Sequence, residues 1–170
     1  TRRRNAERLR RAAERVLREV PGATLARDSA GRITDIAVDH GEFAHLPPER
    51  IVEVVRVMRS EGMHATVSSI HVNGWFGAHD KESGAVWIVA RRFGRDLDAE
   101  RARWLYVGDS PNDQRMFERF PLSAGVANLL RFAEQLVVWP AYITRGERGA
   151  GFAEIAATLV AAHGSTALPG

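Results

Sequence analysis

The chain has no cysteine, only one lysine, and no long apolar run. The absence of cysteine excludes disulfides and thiolate chemistry. No stretch reaches the roughly 18 apolar residues of a membrane helix, and no amino-terminal stretch has a signal-peptide pattern. The expectation is a cytoplasmic protein with no membrane partner. Scarcity of lysine is informative in another way. Of 24 basic residues 23 are arginine, so the compact ammonium of Lys81 stands alone in a chain that otherwise uses guanidinium groups.

What is present divides into two textures. Residues 2–20 carry Ala6, Leu9, Ala13, Val16 and Val20 at steps of three and four, which predicts an amphipathic helix. Eight arginines of this segment alternate with Glu7, Glu14 and Glu19. A solvated face with intrahelical ion pairs is preferred there over a nucleic-acid-binding arm. After Pro21-Gly22, strands are expected near 23–27 and 32–38, then a helix opened by Pro47-Pro48 and ended by Gly62. A strand over 64–72 and a Gly-rich passage over 73–77 complete a small α+β module, residues 1–78. From 79 onward short strands (104–107, 122–127, 136–139) alternate with helices (82–93, 112–119, 129–135, 152–163), the pattern of a parallel sheet covered by helices. The tail, Gly164 to Gly170, is expected to fray.

Chemistry concentrates in Val107-Gly108-Asp109-Ser110-Pro111-Asn112-Asp113. An apolar strand delivers Asp109 to its carboxyl end, where open α/β sheets place ligands. Asn112 and Asp113 follow at the start of a helix, and hard oxygen donors of this kind suit Mg2+. Helix capping alone is the competing explanation for these residues. His79-Asp80-Lys81 opens another helix 28 residues upstream of Asp109.

Taken together, Gly-Asp-x-x-Asn-Asp after an apolar strand resembles the fourth motif of the haloacid dehalogenase superfamily, and Lys81 resembles the lysine of its third. The resemblance implies a partial Rossmann-like α/β core over 79–170. It also implies a small α+β cap over 1–78, as in subclass IIB, which includes sucrose-phosphate and mannosyl-3-phosphoglycerate phosphatases. It further implies a Mg2+-dependent hydrolase acting on a small phosphorylated metabolite. Lys81, Asp109 and Asp113 would serve catalysis. Asp109 would be a metal ligand, with Asn112 and Asp113 supporting the metal or bracing Lys81. In the segment leading to Lys81, His71 and Asn73 share one strand face and are candidates for substrate contact along with Lys81. Trp75 is assigned to packing, and for Asn128 a turn role is preferred to an approach to the site from its loop.

The family's first motif, an apolar strand ending in Asp-x-Asp that supplies the nucleophile, has no good counterpart. Asp96-Leu97-Asp98 follows a helix and a glycine and reads as a turn. Asp39 after Ile33–Val38 is a rival, but position 41 is glycine, and the 13-residue step from Ser68 to Lys81 leaves no room for a cap. The expectation is therefore a nucleophile outside this chain, and low activity for the chain alone. An amino-terminal segment or a second copy would cover the exposed sheet. The alternatives are a non-catalytic binding or assembly module and, less favoured, nucleic-acid binding through the first helix.

Overall fold

A computed structural model describes residues 2–164, which fall into two compact units divided between Ala78 and His79. Positions 165–170, most of the expected frayed tail, lie outside the described residues.

In the first unit, helix α1 (Arg2–Glu19) and helix α2 (Pro48–Ser60) cover one face of a four-stranded antiparallel sheet. Its strands are β1 (Thr24–Leu25), β2 (Asp35–Asp39), β3 (His64–Val67) and β4 (His71–Trp75), in the order β1-β2-β4-β3. The two-residue period of a strand sorts the side chains. Ile36, Val38, Ala65 and Val72 meet Leu9, Ala13, Val16, Val54, Val57 and Met58 in the core. Asp35, Asp39, His71 and Asn73 take the opposite face, in the pairs Asp39 with His71 and Ala37 with Asn73. Arg10–Glu14 and Arg15–Glu19 are ion pairs one turn apart along α1.

The expected strand 64–72 is in fact the hairpin β3–β4, and the Gly-rich passage belongs largely to β4. Gly74 explains why glycine sits inside a strand. A Cβ there would lie 2.7 Å from Met58 Sδ and 3.1 Å from Met63 Cε, so α2 packs directly on strand backbone.

In the second unit, β5 (Leu105–Gly108), β6 (Leu122–Gly125) and β7 (Tyr142–Ile143) form a parallel sheet in that order. Helices α3 (Lys81–Phe93), α4 (Gln114–Arg119) and α5 (Arg148–Gly164) accompany it. Val89, Leu97, Met116 and Phe120 make one buried cluster, and Phe117, Leu129 and Leu136 make another. Tyr106 borders both. This is the α/β class expected for the second half. Two details differ. Residues 127–135 form a 3-10 helix, and the last strand is 142–143 instead of 136–139. Gln114 is the cause: its Oε1 accepts the N–H groups of Val137 and Val138, which removes them from any strand ladder. The edge of β5 away from β6 has no strand partner among the described residues, and α3 leaves Trp87, Ile88 and Phe93 exposed.

Candidate active site

β5 ends at Gly108, and a tight turn through Pro111–Asp113 leads into α4. Asp113 is the centre of this turn and is only 2% exposed. One oxygen, Oδ1, accepts from Lys81 Nζ at 2.5 Å and from Tyr106 Oη at 2.5 Å. The other, Oδ2, accepts the N–H of Asp109 at 2.9 Å, the N–H of Ser110 at 3.2 Å and the Ser110 hydroxyl at 3.4 Å. Burial works against ionisation, but Lys81 and Tyr106 outweigh it and hold the carboxyl below its usual range. Tyr106 is pushed the other way, first by burial and then by donating to Asp113.

Gly108 makes this packing feasible. A Cβ at that position would lie 2.7 Å from both Cβ and Cγ of Asp113. Tyr106 and Gly108 are two apart on β5 and so share a face. One supplies a hydroxyl and the other supplies the space.

Lys81 stands in the first turn of α3, which is fixed by a capping box. Asp80 accepts from Ser83 N–H at 2.8 Å, and Ser83 Oγ accepts from Asp80 N–H at 2.9 Å. Glu82 in the same turn pairs with Arg115 and Arg119 of α4. The ammonium donates to Asn112 Oδ1 at 3.0 Å as well as to Asp113, and the side chain stays half exposed. A cation held rigidly from behind and open in front is suited to receive an anion.

The structure thus brings Lys81, Asn112 and Asp113 into one hydrogen-bonded group and ties Asp109 to it through its backbone. Both oxygens of Asp113 are consumed by the fold, and Asn112 Oδ1 is shared by Lys81 and Ser110 Oγ. Of the two roles that the sequence leaves open for Asp113, bracing Lys81 is the one these bonds express. The Asp109 carboxylate, partly exposed, is met by Asn128 Nδ2 at 3.2 Å. One carboxylate with room for water is the donor set that Mg2+ accepts. Sequence gives no role to Tyr106 or Ser110, and it prefers a turn role for Asn128 to an approach to the site. The only signal for Tyr106 was a hydroxyl in an apolar strand, on the same face as Gly108.

His71 and Asn73 belong to the first unit. His71 Nε2 lies 3.1 Å from Glu42 Oε2, and Asn73 Oδ1 lies 3.5 Å from Arg32 Nη1. Asp39, Glu42 and His71 place ligand atoms within 4.8 Å of one another. Asp39 is not available to a metal, however. Its carboxylate accepts the N–H groups of Gly41, Glu42, Phe43 and Ala44 at 2.9–3.2 Å, two per oxygen. Burial opposes its charge, and these four donors more than compensate, lowering its pKa. A saturated carboxylate on an antiparallel strand is a loop organiser, which also argues against Asp39 as an attacking group. Asp39→Ala would strand four N–H groups around a buried position. It is expected to cost the first unit about 2–4 kcal/mol, seen as lost hydrogen-exchange protection across β2 and β4.

With this geometry established, solved structures give the likeness. No family model and no curated protein matches the sequence. The sucrose-phosphatase of Synechocystis sp. PCC6803, solved with sucrose and phosphate, matches 92% of this chain with TM-score 0.61 and 16% identity. The protein 0175 of Thermoplasma acidophilum matches 91% with TM-score 0.61 and 18% identity. A haloacid dehalogenase subclass IIB sugar phosphatase matches 75% with TM-score 0.50 and 14% identity. The chain shares its fold with these solved structures. The chain spans 62% of the Thermoplasma protein and 64% of the sucrose-phosphatase, so it corresponds to about three-fifths of either.

Proposed function

We propose that this chain contributes the cation- and phosphate-binding part of a Mg2+-dependent phosphomonoester hydrolase acting on a small phosphorylated metabolite of the sugar-phosphate kind. The observation that carries this reading is the Lys81 ammonium clamped by Asn112 and Asp113 on the loop that presents Asp109. The shared fold with sugar phosphatases supports it. In this assignment Asp109 holds the metal, Asp113 and Asn112 fix Lys81, and Lys81 binds phosphoryl oxygens and steadies the attacking carboxylate. Magnesium, when bound, would neutralise phosphate charge. Substrate contact is assigned to His71 and Asn73 in a cap formed by the first unit.

None of Asp39, Asp109 and Asp113 is assigned the attack on phosphorus, since the bonds to Asp39 and Asp113 saturate them and Asp109 is assigned to the metal. The proposed aspartyl-phosphate therefore forms on a carboxylate outside these residues, and the chain alone is expected to show little turnover. The unpartnered edge of β5 supports an additional strand there, from another segment or a second copy, and the exposed Trp87, Ile88 and Phe93 of α3 support further apolar cover. Calorimetry with inorganic phosphate tests the reading without requiring turnover. Phosphate is expected to bind at least about tenfold more tightly with Mg2+ than without it. Equal affinity in the two conditions would remove the metal assignment.

A further inference from the structure

We propose that Asn128 is a positioning residue for Asp109, and that it links the cation site to the start of α5. This rests on Asp109 being the metal ligand. Asn128 lies just beyond β6 and is 7% exposed. Its Nδ2 donates to both the backbone oxygen and the Oδ2 of Asp109, each at 3.2 Å. Its Oδ1 accepts the N–H of Arg148, the first residue of α5, at 3.1 Å.

The chemistry of the partners fixes the amide's orientation. The Arg148 N–H can only donate, whereas the Asp109 carbonyl and carboxylate only accept. Turning the amide over would oppose like groups on both sides. The backbone around Asn128 is fixed as well. Val126 N–H bonds Gly108 O at 2.9 Å, Thr144 N–H bonds Gly125 O at 3.0 Å, and Thr144 Oγ1 accepts the N–H of Ala127 at 3.1 Å. The ends of all three parallel strands therefore lock the residue that grips Asp109. A turn-forming asparagine would need none of the three side-chain bonds. Here they hold one carboxylate oxygen in place, which is how residues behind a ligand commonly tune metal affinity.

The test is a Mg2+ titration of the intact chain, read as the rise in unfolding temperature, which ligand binding to the folded state produces. Wild type is expected to show the rise and Asp109→Asn to lose it. Asn128→Ala is expected to weaken Mg2+ by about tenfold. Asn128→Asp keeps the size and still accepts from Arg148, but sets a second carboxylate against Asp109. Without metal it is expected to melt below wild type, and with Mg2+ to gain more than wild type gains. A merely structural role would shift the metal-free melting temperature and leave the Mg2+ dependence alone. If both Asn128 variants show the wild-type Mg2+ midpoint, the positioning role is overturned. If wild type shows no rise, or Asp109→Asn retains it, the metal assignment of Asp109 fails and this inference fails with it.

Discussion

Asp113→Asn is expected to destabilise the second unit by about 3 kcal/mol, one of the largest losses available from a single isosteric change. The native carboxylate is buried and accepts on every side: Lys81 and Tyr106 at one oxygen, Asp109 and Ser110 at the other. An amide must turn its NH2 toward one of those donor pairs, so donor faces donor in either orientation. Hydrogen exchange of the β5 and β6 amides reports this unit by itself, and unchanged protection would refute the assignment. The effect has a definite pH sign. Because the Asp113 pKa is lowered in the folded state, its contribution is complete above the ordinary carboxylate range. It disappears as the pH falls through the lowered value. The difference between wild type and variant should therefore be full at neutral pH and vanish in strong acid.

Lys81→Met is expected to weaken phosphate binding by about 10- to 100-fold, the equivalent of one charge-assisted hydrogen bond of roughly 1.5–3 kcal/mol. Methionine keeps an apolar stem of similar length and removes only the ammonium. Lys81→Arg should not restore affinity. A planar guanidinium cannot occupy the point between Asn112 Oδ1 and Asp113 Oδ1 that the ammonium fills at 3.0 and 2.5 Å. Both variants should fold at neutral pH, since the Lys81 side chain is half exposed. The methionine variant should lose stability at a higher pH on acidification, because Asp113 then has one fewer donor holding its pKa down. Phosphate affinity equal to wild type would exclude Lys81 from the site.

Much of this was legible in the residues, and the gaps have physical causes. The stripe of α1, the strand that ends at Gly108-Asp109 and the lysine at the start of α3 all follow from periodicity and caps. The β3–β4 hairpin was hidden because its turn, Ser68-Ser69-Ile70, contains neither glycine nor proline to mark it. Gly74 disguised a strand as a loop, because what it fits is the sulfur of a methionine on another element. The expected strand at 136–139 failed because its N–H groups bond a glutamine side chain more than twenty residues earlier. The spacing of motif residues singled out Lys81, Asp109, Asn112 and Asp113, which the fold brings into one hydrogen-bonded group. It gave no sign that Tyr106 donates to Asp113, and it ranked a turn above an approach to the site for Asn128, whose place beside Asp109 depends on the pairing of β5 with β6.

The most direct measurement of the central claim is a Mg2+ titration followed by backbone amide NMR. The account predicts that shifts concentrate in Gly108–Asp113 and at Lys81 and Asn128, while the Asp39–Ala44 loop stays still. Shifts centred instead on Asp39, Glu42 and His71, the other group of ligand-type side chains among the described residues, would contradict it. The cation would then belong to the first unit, and the Asp109 loop would be a capped turn with no metal role.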